Sequence, residues 1–131
     1  MRAADPFNLQ RFVDAQSGGA YEQALAELEA GAKRGHWMWF IFPQHVDLGR
    51  SPTARQYGLG GVAEAAAYLN HPLLGPRLVR CCEAILPHLG RARAEDIFGE
   101  VDAMKLRSSM DIFAAAAPGE PVFAKVRVAA G

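Results

Sequence analysis

The sequence predicts a mainly α-helical single domain spanning residues 1–131, a compact bundle of about six helices, on three observations. Apolar residues recur at i, i+3 and i+4 along most of the 131 residues. Cap-and-proline pairs, Asp5-Pro6 and Ser51-Pro52, open stretches of that periodicity. Glycines close them, at Ser17-Gly18-Gly19, Gly35 and Gly58-Leu59-Gly60-Gly61. Half of the residues are hydrophobic. A chain of this size hides roughly two-thirds of its unfolded surface, enough for one core without covalent staples.

Each element follows from these signals. Asp5 is a good N-cap with Pro6 at the first helical position, and Leu9, Phe12, Val13 and Gln16 follow on one face. The next stripe is Tyr21, Ala24, Leu25, Leu28 and Ala32, with Glu29 and Lys33 spaced to pair at i,i+4. Ser51-Pro52 opens a short helix through Thr53, Ala54 and Tyr57, and Val62, Ala65, Ala66 and Leu69 resume after the glycines. Asn70-His71-Pro72 is a stop and restart, after which Leu74, Leu78, Cys81, Ile85 and Leu89 share a face. A short helix at Glu95 to Phe98 ends at Gly99. The last clear helix begins near Asp102 and turns Leu106, Met110, Phe113, Ala114 and Ala117 inward, with Arg107 four residues before Asp111.

Two stretches also fit a minor two-stranded element. The run His36-Trp37-Met38-Trp39-Phe40-Ile41-Phe42-Pro43-Gln44 has the length and apolarity of a buried strand, and Val122 to Val128 alternates with period two.

Composition narrows the function. Fourteen basic residues balance fourteen acidic ones, which argues against general affinity for nucleic acid or anionic membrane. Met1 to Pro6 show no apolar stretch behind Arg2, and no apolar run approaches the roughly 20 residues that span a bilayer, so a cytoplasmic protein is expected. Cys81 and Cys82 are adjacent and close no useful loop, and His36, His45, His71 and His88 lack metal-site spacing. No metal site is expected, and no cofactor is named by the sequence.

Three segments carry candidate chemistry. The aromatic run is either plain core or the floor of a pocket, with Trp37 or Trp39 as a stacking platform and His36 and Gln44 as directed polar groups. Arg50 beside the capping Ser51 is a plausible anion seat, or an ordinary cap with a solvated arginine. Lys105, Ser108 and Ser109 share a helix face. That grouping fits polar ligand contact better than a Ser-Lys nucleophile.

The motifs Asp5-Pro6-Phe7-Asn8-Leu9-Gln10-Arg11-Phe12, His36 to Gln44, Gly49-Arg50-Ser51-Pro52-Thr53-Ala54, Tyr68-Leu69, His71-Pro72-Leu73-Leu74-Gly75-Pro76-Arg77-Leu78 and Lys105-Leu106-Arg107-Ser108-Ser109-Met110 occur in this order. With them the chain resembles the bacterial family catalogued as domain of unknown function 1810, sometimes mislabelled calpastatin-like, over residues 5 to about 124. The resemblance implies a mainly α-helical cytosolic domain and no established activity. It also marks two departures, Asp111 where members carry Thr, and a tail that replaces a longer apolar helix after Phe123. A shortened terminal helix would expose core and promote self-association.

The expectation is a pocket walled by Trp37 and Trp39 and fringed by His36, Gln44, Arg50, Ser51, Lys105, Ser108 and Ser109. It would take a small anionic, nucleotide-like ligand, with His36 as the acid or base of any turnover. The alternative is a non-enzymatic protein interaction module.

Overall fold

The computed structural model describes residues 4–131, so the reading of Met1-Arg2-Ala3 lies outside the described residues. Nine helices, and no sheet, occur among the described residues. They are α1 (Gln10–Ala15), α2 (Ala20–Ala30), α3 (Met38–Ile41), α4 (Pro52–Gln56), α5 (Val62–Asn70), α6 (Leu74–Leu89), α7 (Ala94–Phe98), α8 (Glu100–Ala116) and α9 (Pro121–Ala129). The class matches the sequence reading, and the larger count comes from α3 in the aromatic run and α9 in the tail, the two stretches that also fitted strands.

The longer helices form a closed ring in which α5 packs on α6, α6 on α9, α9 on α8 and α8 on α5. Outside the ring α2 lies against α6, and α7 against α8. A file of aromatic rings ties the shorter helices to it. Phe40 meets Tyr57 at 5.8 Å, Tyr57 meets Phe12 at 5.9 Å, Phe12 meets Tyr68 at 5.1 Å, Tyr68 meets Phe113 at 5.3 Å, and Phe113 meets Phe123 at 5.7 Å. Each such pair adds about 0.5–1.5 kcal/mol beyond the area it buries.

Polar side chains close the seams. Buried Gln16 donates from Nε2 to the Phe40 carbonyl at 2.8 Å and to the Tyr68 hydroxyl at 3.2 Å, while its Oε1 accepts from Arg77 at 3.3 Å. Arg11 donates to the carbonyls of Phe7, Asn8, Gln56 and Gly58 and pairs with buried Glu64 at 2.7 Å. One guanidinium thereby fastens α1 to the end of α4 and the start of α5.

Several local expectations are corrected. Asp5 is not the N-cap of α1: its carboxylate accepts from Leu9 N at 2.7 Å and Gln10 N at 2.9 Å, but Leu9 is the N-cap and α1 starts only at Gln10, because Asn8 sits in the left-handed region at φ 52°. The second helix stops at Gly31, whose φ of 70° ends it four residues before Gly35. Lys33 therefore leaves the helical register and pairs with Asp102 at 2.8 Å, and Glu29 faces Arg80 instead. Arg107 pairs with Glu95 at 2.8 Å, not with Asp111, which accepts from Arg127 and so links α8 to α9.

The two-stranded alternative shrinks to one parallel bridge, in which Val46 N donates to Leu59 O and Leu59 N to Gln44 O, each at 2.8 Å. The tail is helix α9. Pro121 starts it, Glu120 caps it through Val122 N, and Val122, Phe123 and Val126 are buried at helical spacing. Alternation is outweighed because residues 122, 123 and 126 face α6 and α8 together, while Lys125 and Val128 point outward. Burial pushes the Cys81 thiol up to about 12 and raises Cys82 too, so both serve as core filling.

Candidate functional site

The residues 31–39 leave α2 at a glycine and re-enter helix at α3, and they run beside the first two turns of α8. Glu27 organises this segment. Its Oε1 accepts from Arg34 N at 2.7 Å, Gly35 N at 2.8 Å and the Trp37 indole at 2.9 Å, and its Oε2 accepts from Gln23 at 3.1 Å. Burial works against ionisation of Glu27, but these donors outweigh it and bring its pKa down to about 2. Trp37, Met38, Ile41 and Phe42 then turn into the core, whereas Trp39 and Phe40 stay half-buried and His36 is exposed.

A chain of alternating charge and π-face results. The Lys33 ammonium lies 5.0 Å from the Trp37 ring centre and donates to Gly35 O at 2.6 Å. It pairs with Asp102 at 2.8 Å, and Asp102 also faces Lys105 at 3.7 Å. The Lys105 ammonium lies 4.8 Å from the Trp39 ring centre. Two lysine–indole pairs therefore share one carboxylate, which leaves the lysine–aspartate trio with one positive charge in excess. Lys33 is 8% exposed and Lys105 19%, so both charges feel a medium less screening than water. The Trp39 Nε1–H is shut off from solvent and finds no acceptor among the described residues. The Ser109 hydroxyl, one turn after Lys105, is in the same condition.

Of the residues singled out in the sequence, Trp39 and Lys105 touch, and Trp37 joins them through Lys33 and Asp102. Ser108 is half-buried one turn from Lys105. Ser51 caps α4, accepting from Ala54 N at 3.1 Å. Arg50 is exposed and Gln44 is half-buried, and among the described residues no side-chain bond ties either to Trp39. Lys33 and Asp102 are the participants that periodicity misses, since their pairing joins segments remote in sequence. Among the described residues no group of three or more His, Cys, Asp or Glu is placed to hold a metal ion, and no helix is long and apolar enough to cross a membrane.

Such a helical ring with a lysine–indole cluster beside it defines a mainly α-helical domain. The chain belongs to the family described as "Protein of unknown function (DUF1810)", which matches residues 6–129. It is similar to the conserved hypothetical protein Rv1873 from Mycobacterium tuberculosis, known from a crystal structure at 1.38 Å. The two are 48% identical, with a TM-score of 0.90, and the match covers 95% of this chain and 87% of that one. None of the curated proteins matches the chain.

Proposed function

We propose that this protein binds a small anionic ligand carrying a flat ring, of nucleotide-like type, on the half-exposed face of Trp39. The observation that carries the reading is the Lys105–Trp39 pair, whose ammonium is only partly neutralised by an Asp102 shared with Lys33. An anion there would balance the excess charge, and stacking on the indole would add about 1–3 kcal/mol for a base-like ring. Ser108 and Ser109 on α8 are the polar groups nearest in register, Gln44, Arg50 and Ser51 would contact the ligand's periphery, and His36 is the acid–base residue of any turnover. The protein acts in the cytoplasm on this reading.

A thermal-shift screen against nucleotides, dinucleotide cofactors and phosphorylated metabolites tests it. A ligand that binds only the folded state stabilises it by about 2.7 kcal/mol at about a hundredfold excess over Kd. The expected result is a hit that vanishes in Lys105→Ala while the unliganded Tm stays within a few degrees. A flat screen on folded protein, or a screen in which no hit depends on Lys105, contradicts the proposal.

One observation favours the interaction-module reading as a second choice. Leu86, Ala124 and Ala129 line an open groove of about 530 Å³ beside Val128, which is 81% exposed. Self-association through α9 would appear as a sedimentation coefficient that rises with concentration and falls back in Val128→Lys.

A further inference from the structure

A second concentration of charge lies on the other side of α8. Arg107 follows Lys105 by two residues, which sets their side chains roughly 200° apart around the helix. Arg107 points to an open cavity of about 560 Å³ where the α6–α7 connection meets the end of α9, within the size range of small-molecule sites. Among side chains, Arg91, Arg93, Arg107 and Glu95 supply its charged lining, three guanidinium groups against one carboxylate, and the buried Ala94 and Ala130 give it an apolar floor beside main-chain Gly131.

Arg107 is already fixed in position. Its Nε donates to Ala130 O at 3.0 Å and its Nη2 to Glu95 at 2.8 Å, and its side chain is 20% exposed. A guanidinium carries five N–H donors, so about three of them stay free for another acceptor. Arg93 reaches Glu95 only at 3.9 Å, and Arg91 makes no side-chain bond among the described residues. Arg91 is therefore unpaired among the described residues and Arg93 only loosely paired, on a connection held by Arg91 N and Ala92 N donating to His88 O at 3.0 Å each. Structural pairing alone accounts for Arg107, and it leaves Arg91 and Arg93 around the same cavity unexplained.

We infer that this cavity binds the phosphate group of a small phosphorylated molecule, with Arg107 as the fixed fork and Arg91 and Arg93 closing on the remaining oxygens. Planar guanidinium groups match phosphate oxygens in pairs, which gives direction as well as charge. The balanced charge of the whole chain favours a small phosphate over a nucleic acid, whose binding calls for a broad basic surface. The inference stands independently of the Trp39 site.

Calorimetric titration of the intact protein with inorganic pyrophosphate, at low ionic strength, tests it. Saturable binding is expected, weakened about tenfold or more in the Arg91→Ala/Arg93→Ala double variant, and unchanged in Arg55→Ala, an exposed arginine outside the cavity lining. Both substituted positions are exposed, and an unaltered Tm verifies the fold; Arg93→Ala alone serves if the double variant melts early. No binding by the parent protein, equal binding by the arginine variants, or equal affinity for sulfate overturns the inference. A short single-stranded oligonucleotide that binds more tightly through the same arginines overturns it in favour of a nucleic-acid surface.

Discussion

Asp102 holds the Lys33 and Lys105 ammonium groups at 2.8 and 3.7 Å, and Glu27, on the other flank of the 33–39 segment, collects three donors from that segment and a fourth from Gln23 on α2. The two carboxylates do different work. Asp102 balances charge, whereas Glu27 satisfies backbone N–H groups and the Trp37 indole that would otherwise be left without partners. Because its folded pKa of about 2 lies below the ordinary value near 4.5, Glu27 contributes stability that is present above about pH 4.5 and lost as pH falls toward about 2. Glu27→Ala should cost about 1–3 kcal/mol at neutral pH. Urea unfolding from neutrality down to acid should show the gap between parent and variant closing in that window. A gap that stays constant would mean the carboxylate's charge is not what holds the segment.

At the scale of elements, spacing is decided by glycine as much as by apolar stripes. A Cβ on Gly75 would stand 2.1 Å from the Leu69 carbonyl oxygen and 2.9 Å from its carbon, so the bare Cα is what lets α6 start against the end of α5. Gly75→Ala should force these helices apart at a cost of about 1–3 kcal/mol, read as a lower urea midpoint with the helical signal retained. A midpoint equal to the parent's would refute the close approach. The same scale sets what is legible in the sequence. Helices α2, α4, α5, α6 and α8 announce themselves through long apolar periods, a capping Ser51 and glycine stops. The tail is less legible, since Val122 to Val128 satisfies a period of two on its face. The cue that resolves it is Glu120-Pro121, a cap followed by proline, which sets the helical register before the valines begin. Register also explains the mistaken pair Glu29–Lys33, because Gly31 ends the helix between them.

On the whole-molecule scale the closed ring of α5, α6, α9 and α8 carries the core, and the 33–39 segment rides on its outside, where α8 lends it Asp102 and Lys105. Half of that site is legible in the sequence. Trp39 and Lys105 stand out as bulky or charged groups in apolar surroundings, but Lys33 and Asp102 look like ordinary surface charges until the fold brings them together. Arg50 and Gln44, equally conspicuous in sequence, sit in the 44–51 connection, whose bridge to Leu59 follows a separate local logic. Sequence pattern identifies polar residues that an apolar environment must account for; only tertiary packing says which of them meet.

The most direct test of the Lys105–Trp39 site is a two-dimensional ¹H–¹⁵N spectrum of the indole region, recorded while the best nucleotide-like hit is added. The two tryptophans give two indole N–H signals. Trp37 is buried and bonded to Glu27, while Trp39 is half-buried and its indole finds no acceptor among the described residues. The account predicts that the Trp39 signal, assigned with Trp39→Phe, moves with saturation while the Trp37 signal holds its place, and that Lys105→Ala abolishes the movement. A ligand that binds with the Trp39 signal fixed would contradict it.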